Sequence, residues 1–150
     1  MSERTTAPAR VFFEDVSEGM ALPELVNSPI THTMLVKYAG ASGDFNPLHT
    51  DPAVGQKFGL GGPIAHGMLI MGFLGHFASD YLGGPGPLKQ FGVRFKNMTR
   101  HGDVITCSGV ITQKYEEDGQ HLIKANVFAK DQTGEVKASG SFTASLPARA

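Results

Sequence analysis

The stretch AHGMLIMGFLGHFASDY, residues 65–81, is the most apolar helical part of the chain and decides how the rest can fold. Its apolar side chains lie nearly all round a helix, so a helix here is expected to be buried rather than to lie on the surface. Gly67, Gly72 and Gly75 inside it lower helix propensity but let other backbone approach closely. The glycine- and proline-rich run at residues 83–87 ends the helix. The sequence therefore predicts one central, buried helix.

After this helix the apolar period changes to two, which indicates β-strands. The alternating apolar positions fall into four segments: Phe91, Val93 and Phe95; Ile105, Cys107 and Ile111; Ile123, Ala125 and Val127; and Val136, Ala138 and Phe142. Asp118-Gly119 predicts a hairpin turn, and residues 131–134 predict a second turn. About four antiparallel strands after one buried helix predict an α+β fold, in which a sheet curls around the helix. Such a sheet has an open edge, so we expect a dimer.

The chain before the central helix predicts smaller elements. Residues 10–26 predict a short strand at Val-Phe-Phe followed by a turn. Thr31 or Thr33 is expected to cap a helix. Asp51-Pro52 reads as the N-cap and first residue of another, shorter helix.

Composition and charge narrow the class of protein. The 150 residues contain 13 Lys plus Arg against 14 Asp plus Glu, without a long basic run, so we expect no nucleic-acid or membrane partner. Residues 1–9 predict a disordered tail, and residues 10–150 predict a single domain. The single cysteine, Cys107, is expected in the core of a cytoplasmic protein, because it permits no internal disulfide. The amino terminus has no apolar segment, and no run of about 18 apolar residues is present.

The stretch GDFNPLH, residues 43–49, carries the first candidate for chemistry. It predicts a loop, because Pro47 disfavours helix at the residue before it. If the loop points Asp44 and His49 into one cavity, one side chain removes a proton while the other donates one. Asn46 is a candidate to orient either of them. Spacing alone leaves open that Asp44 caps local amides and that His49 is a structural histidine.

The start of the central helix is the second candidate. Its first amides, for example that of Gly67, are unpaired and lie at the positive end of the helix dipole, where they would stabilise a developing oxyanion. An ordinary helix start with a tightly packed glycine is the alternative. His66, beside it, is more often a structural residue than a catalyst. Neither phosphate-binding glycine patterns nor metal-ligand spacings occur, so we expect no metal ion.

Two blocks of sequence carry a family resemblance. They are YAGASGDFNPLH at residues 38–49, continued by Asp51-Pro52, and PIAHGML at residues 63–69. Together they resemble the hydratase 2 signature of the MaoC-like (R)-specific enoyl hydratase/dehydratase family. The resemblance extends more loosely to residues 93–96 and 101–104, and so covers most of residues 11–146.

The resemblance implies a hotdog fold, in which an antiparallel sheet wraps one long helix, assembled as a dimer. It implies that Asp44 and His49 are catalytic, that Asn46 supports them and that the Gly67 amide holds the thioester oxygen. The implied reaction is the reversible hydration of trans-2-enoyl thioesters of CoA or an acyl carrier protein (ACP) to (R)-3-hydroxyacyl thioesters. The resemblance implies no cofactor, since the pantetheine thioester is part of the substrate. The expected substrate-binding residues are Phe45, Leu60, Pro63, Ile64, His66, Met68 and Met71.

Two other functions are consistent with the same fold. A hotdog thioesterase would hydrolyse the thioester with a carboxylate and water, and an acyl-pocket subunit would serve a separate catalytic chain. Beta subunits of heterodimeric (3R)-hydroxyacyl-ACP dehydratases carry a similar Ala-His-Gly-Met-Leu run, so a homodimer and a heterodimer with a second hotdog subunit both stay open. The Gly61-Gly62 pair departs from the bulkier or charged residues that are frequent in the family, which bears on the pocket entrance.

Overall fold

A computed structural model describes residues 10–150, and the predicted tail at residues 1–9 lies outside the described residues. After a single 3-10 turn at Phe13–Asp15, the elements are β1 (Ala21–Val26), α1 (His32–Ser42), α2 (Pro47–Thr50), α3 (Pro52–Lys57), α4 (Gly67–Tyr81), β2 (Leu88–Phe95), β3 (Thr106–Glu117), β4 (Gln120–Lys130) and β5 (Val136–Ser145). None of the helices in this part of the chain has the length and apolar character needed to cross a bilayer.

The five strands form one antiparallel sheet in the order β1-β3-β4-β5-β2. The four strands predicted after the central helix are present, and the α+β prediction is confirmed. Asp118 and Gly119 join β3 to β4. Their φ angles of 50° and 73° are both positive, as a two-residue type I′ hairpin turn requires. Because β1 and β2 stand at the two ends of the order, each has one side that no other strand within residues 10–150 pairs with.

The predicted order of strand and turn in residues 10–26 is wrong. Val11 and Phe12 are not in a strand, the 3-10 turn follows them, and the strand comes last, as β1. Instead, the amide of Phe13 donates a hydrogen bond to the carbonyl of Pro147 at 2.8 Å. The amino-terminal Val-Phe-Phe segment thus packs beside the end of the chain and leaves the sheet edge to residues 21–26.

The central helix α4 packs its inner side against the sheet. Its buried residues are Leu69, Ile70, Leu74, Phe77 and Ala78. The facing side chains of the sheet, which are at most 1% exposed, are Cys107, Ile111, Ile123, Ala125, Val127, Ala129, Ala138, Phe142 and Ala144. The sheet covers this side only: Met68 on the outer side of α4 is 56% exposed. The helix is therefore central, as predicted, but it is not buried all round within this chain.

Two of the glycines of α4 face aromatic rings rather than backbone. A Cβ on Gly67 would lie 3.3 Å from the ring of Phe95, and one on Gly75 would lie 3.4 Å from the ring of Phe91. Gly72 has no atom within 4 Å of the same position. The expectation that Gly67 and Gly75 admit other backbone is thus wrong, because the space beside them is filled by side chains of β2.

Cys107 lies on β3 with its side chain fully buried, as predicted. Burial raises the pKa of its thiol to about 12, although a contact of 3.7 Å from the Asn27 amide nitrogen to Sγ works in the opposite direction. The thiol stays protonated at neutral pH, so Cys107 serves the core and not a nucleophilic reaction.

The turn between β4 and β5 is held by a buried lysine. Nζ of Lys137, whose side chain is 5% exposed, lies 2.6 Å from Oε1 of Glu135, 3.1 Å from Oδ2 of Asp131 and 3.9 Å from Oδ2 of Asp103. Oδ1 of Asp131 accepts hydrogen bonds from the amide and hydroxyl of Thr133 and from the amide of Glu135. Burial alone would raise the pKa of Asp131, but these hydrogen bonds and Lys137 lower it to about 2.

We predict that this carboxylate stabilises the fold in a pH-dependent way. Because the pKa of Asp131 falls from 3.8 to about 2 on folding, its contribution is complete above about pH 4 and is lost as the pH falls toward 2. Urea unfolding of the wild type and of Asp131→Asn should show a lower free energy of unfolding for the variant at pH 6. The difference should shrink below pH 4, and a difference that stays constant with pH would contradict this assignment.

Candidate active site

The segment GDFNPLH is not a loop throughout. Gly43 ends α1 in the left-handed conformation, with φ 77°. The chain then turns at Asn46, whose side-chain Oδ1 accepts a hydrogen bond from the amide of Leu48 at 3.1 Å and so caps α2. Pro47 occupies the first position of this helix, where its fixed φ favours the helical conformation and no amide is needed. The predicted loop is thus corrected to a turn followed by one helical turn, which carries His49.

Asp44 lies in the turn, and its carboxylate reaches the solvent. Its Oδ1 accepts a hydrogen bond from the backbone amide of Asn46 at 3.2 Å. The side chain of Asp44 is 52% exposed. Asn46 therefore contacts Asp44 through its backbone, while its side-chain oxygen serves as the cap of α2.

His49 faces Asp44 with one ring nitrogen and is fixed by the other. Nδ1 of His49 lies 2.8 Å from the carbonyl oxygen of Ile64. A carbonyl oxygen only accepts, so Nδ1 carries the proton in the neutral ring and Nε2 holds the lone pair. Nε2 lies 3.8 Å from Oδ2 of Asp44, and the side chain of His49 is 14% exposed. A water molecule or substrate atom beside this pair would meet one basic nitrogen and one carboxylate.

The start of α4 is brought beside this pair by backbone hydrogen bonds. The amide of Ile64 donates to the carbonyl of Leu48 at 3.1 Å, and the amide of Ala65 donates to the carbonyl of Thr99 at 2.8 Å. His66 is the N-cap residue of α4, but its side chain makes no capping hydrogen bond. The first amides of the helix, including that of Gly67, are therefore left without a side-chain acceptor.

A cavity of about 340 Å³ lies between His49 and the start of α4, and Asp44 is not part of its wall. His49, Ile64 and Gly67 line it, together with Ala65, Ile70, Phe95, Lys96, Asn97, Met98, Thr99 and Lys137. Of the residues predicted to bind substrate, Ile64 is on this wall. The others are not: Phe45 and Met68 are exposed, Leu60 and Met71 are half-buried, and Pro63 and His66 are buried.

The sequence analysis did not predict the cavity wall formed by the end of β2 and the following loop. Phe95 reads as one member of an alternating strand, yet its side chain is 52% exposed and lies against Gly67. Met98 and Thr99 follow in a segment with no periodic pattern. A glycine at the start of an apolar helix was the available signal, since it marks a place where another group comes close.

Most of the sequence matches one family. It matches the description "MaoC like domain" over residues 17–133. The chain belongs to the MaoC-like family.

Among the relatives of this MaoC-like chain is the (R)-specific enoyl-CoA hydratase of Rhodospirillum rubrum, which is 31% identical over 144 residues, or 92% of this chain and 93% of the relative. The structure of an R-hydratase from Pseudomonas aeruginosa superposes with a TM-score of 0.82 at 23% identity, covering 93% of this chain and 88% of that one, which shows the hotdog fold. The ChsH1-ChsH2 complex from Mycobacterium tuberculosis contains a chain with a TM-score of 0.73 at 25% identity, covering 87% of this chain and 98% of that one.

The MaoC-like site also contains a possible set of metal ligands. Asp44, His49 and His66 each offer one ligand atom, and these atoms lie within 4.8 Å of one another. However, Nε2 of His66 is engaged with the backbone carbonyl of Asp44 at 3.0 Å. The 3.8 Å between Asp44 and His49 also exceeds the roughly 3.4 Å that separates two ligand atoms around a tetrahedral ion.

The glycine-rich segment before the site packs against α3. A Cβ on Gly55 would lie 2.0 Å from the carbonyl oxygen of Gly62, which has φ 143°. The guanidinium of Arg100 donates to the carbonyl of Leu60 in the same segment. The departure at Gly61-Gly62 is thus matched by a glycine on the helix that it touches.

We predict that Gly55→Ala lowers stability because backbone must move to admit the methyl group. The expected loss in the free energy of unfolding is about 1–3 kcal/mol, as for other overpacked sites. Gly40→Ala, on α1 with no atom within 4 Å of the added Cβ, is the matched control. It should raise stability by roughly 0.5–1 kcal/mol through helix propensity. Urea unfolding measures both, and two changes of the same sign would contradict the packing described.

Proposed function

We propose that this protein is a hydro-lyase that reversibly hydrates trans-2-enoyl thioesters to (R)-3-hydroxyacyl thioesters. The observation that carries the proposal is the facing pair of Nε2 of His49 and Oδ2 of Asp44, 3.8 Å apart, beside a cavity that His49 shares with Gly67. The (R)-specific enoyl-CoA hydratase of Rhodospirillum rubrum, which aligns with this chain over 93% of its own length, supports the same reaction.

The acid/base pair supplies both proton transfers that hydration needs. The oxygen of a water molecule bonds to C3 of the enoyl group, and the pair removes one proton from that water. The electrons of the C2–C3 double bond move toward the carbonyl, and C2 then takes one proton from the pair. His49 suits the first role because its hydrogen bond to Ile64 keeps the lone pair on Nε2. Dehydration is the same sequence in reverse, and no cofactor is required.

The start of α4 supplies the group that stabilises the intermediate charge. As C3 is attacked, negative charge develops on the thioester oxygen. Gly67 lines the cavity at the positive end of α4, and in our proposal its amide donates to this oxygen. A side chain on Gly67 would point toward the ring of Phe95, 3.3 Å from its Cβ, so glycine keeps that side of the helix start clear.

The substrate is an acyl-CoA or an acyl-ACP, and a homodimer is the assembly we propose. In a homodimer, the free edge of β2 pairs with a second copy beside the cavity wall at Phe95. A heterodimer with another hotdog subunit is the alternative, since a chain of similar fold occurs in the ChsH1-ChsH2 complex. In either assembly this chain contributes both Asp44 and His49.

Removing either catalytic group should remove most of the activity. Asp44→Asn and His49→Ala should each lower kcat by about 10²–10⁴-fold, the usual contribution of positioned proton transfer. The assay follows the loss of enoyl-thioester absorbance with crotonyl-CoA, and chiral analysis should identify the (R)-3-hydroxy product. Asp80→Asn, an exposed aspartate on α4, is the matched control and should leave turnover unchanged.

Near wild-type turnover in Asp44→Asn or His49→Ala would refute the assigned roles. If the wild type releases free CoA instead of forming the hydroxy product, the thioesterase alternative is correct. Longer enoyl chains and an ACP carrier extend the same assay if crotonyl-CoA is not consumed.

A further inference from the structure

His66 connects the core helix to both catalytic side chains. It is 1% exposed. Its backbone is held on both sides, because the amide of Ala65 donates to Thr99 at 2.8 Å and the amide of Leu69 donates to the carbonyl of His66 at 3.0 Å. Since the side chain makes no cap hydrogen bond to α4, the ring is directed to other partners.

The first of these partners is the catalytic turn. Nε2 of His66 lies 3.0 Å from the backbone carbonyl oxygen of Asp44. The carbonyl accepts, so Nε2 carries the proton in the neutral ring. The carboxylate of Asp44 is half exposed and has one backbone hydrogen bond of 3.2 Å, from Asn46. The contact from His66 therefore ties the backbone of the turn to the rigid start of α4.

The second partner is the ring of His49. The two imidazoles are stacked, with centroids 3.9 Å apart and planes inclined at 24°. Tyr38 packs edge-on against His66, with ring centroids 4.8 Å apart. The hydrogen bond to Ile64 orients His49 about its ring axis, and the stack sets the plane of its ring. Both are needed to direct Nε2 toward Asp44.

We infer that His66 is a positioning residue for the acid/base pair, and that it acts through two separable contacts. The hydrogen bond from Nε2 places Asp44, and the face of the ring places His49. The inference rests on the proposed function for its kinetic consequences. It gives His66 a different role from that of a substrate-binding residue, because its side chain is buried and is not on the cavity wall.

The remaining ring nitrogen makes no hydrogen bond that a substitution would also remove, so the two contacts can be tested separately. Nδ1 of His66 is buried and has no hydrogen-bond partner within residues 10–150. A phenylalanine at this position keeps an aromatic face against His49 but loses the donor to Asp44. A glutamine keeps a donor at a similar reach but loses the face. His76→Phe, an exposed histidine on the same helix, is the matched control.

His66→Phe should lower kcat by about 100-fold and His66→Gln by about 10-fold, because small displacements of reacting groups have effects of this size. KM should change less than about threefold in both, since ground-state binding is retained. His76→Phe should match the wild type. Equal losses in His66→Phe and His76→Phe, or a loss confined to KM, would overturn the inference.

A double variant distinguishes positioning from a general loss of stability. If His66 acts through Asp44 and His49, then His66→Phe added to Asp44→Asn should lower the residual rate by less than about threefold. Damage to folding alone would multiply the two losses and would lower the thermal midpoint in parallel. A multiplied loss would therefore overturn the inference.

One measurement does not depend on turnover. Long-range ¹⁵N–¹H correlation spectra of the wild-type protein at neutral pH should show a proton on Nε2 of His66 and on Nδ1 of His49. The opposite tautomer of His66 would overturn the inference even in an active enzyme. A wild type with the expected tautomers but without hydratase activity would count against the proposed function, while the hydrogen bond from His66 would stand.

Discussion

The packing of α4 against the inner side of the sheet is the contact on which the rest of the structure depends. Leu69, Ile70, Leu74 and Phe77 each contribute roughly 1.5–3 kcal/mol when fully buried, so together they approach the whole net stability of a small domain. The position of the helix is therefore set by the core and not by the site. Since the candidate catalytic groups are attached to its first residues, the core also sets the geometry of the site.

The elements with a sustained apolar repeat were predictable from sequence, as were the capped helices α1 and α3, whereas β1 and α2 were not. The central helix and β2 to β5 follow from periodicity, because each runs for eight residues or more. β1 contains Pro23 and buries only Leu22, so it has no alternating pattern. It is a strand because it pairs with β3, from Ala21 opposite Val110 onward. The four-residue helix α2 is too short to show any period.

The identity of the candidate groups was predictable, but their arrangement was not. Asp44, His49 and Gly67 stand out in sequence by residue type and spacing, and the structure brings His49 and Gly67 to one cavity beside Asp44. The tautomer of His49 depends on the carbonyl of Ile64, fifteen residues away. The wall at Phe95 comes from another strand altogether. Such features depend on tertiary contacts, which local sequence patterns do not encode.

The segments at residues 44–49 and 64–67, which form the site, are joined by hydrogen bonds at both ends of the stretch between them. Leu48 bonds to Ile64, and His66 bonds to Asp44, so residues 50–63 leave and return at fixed points. Closing a loop between fixed ends depends weakly on its length, at about 0.6 kcal/mol for each doubling. The closure of this excursion therefore depends little on its length, while α3 and the contact of Gly55 with Gly62 restrict where residues can be added. Evolution and protein engineering can therefore vary the exposed part of this excursion without moving the acid/base pair.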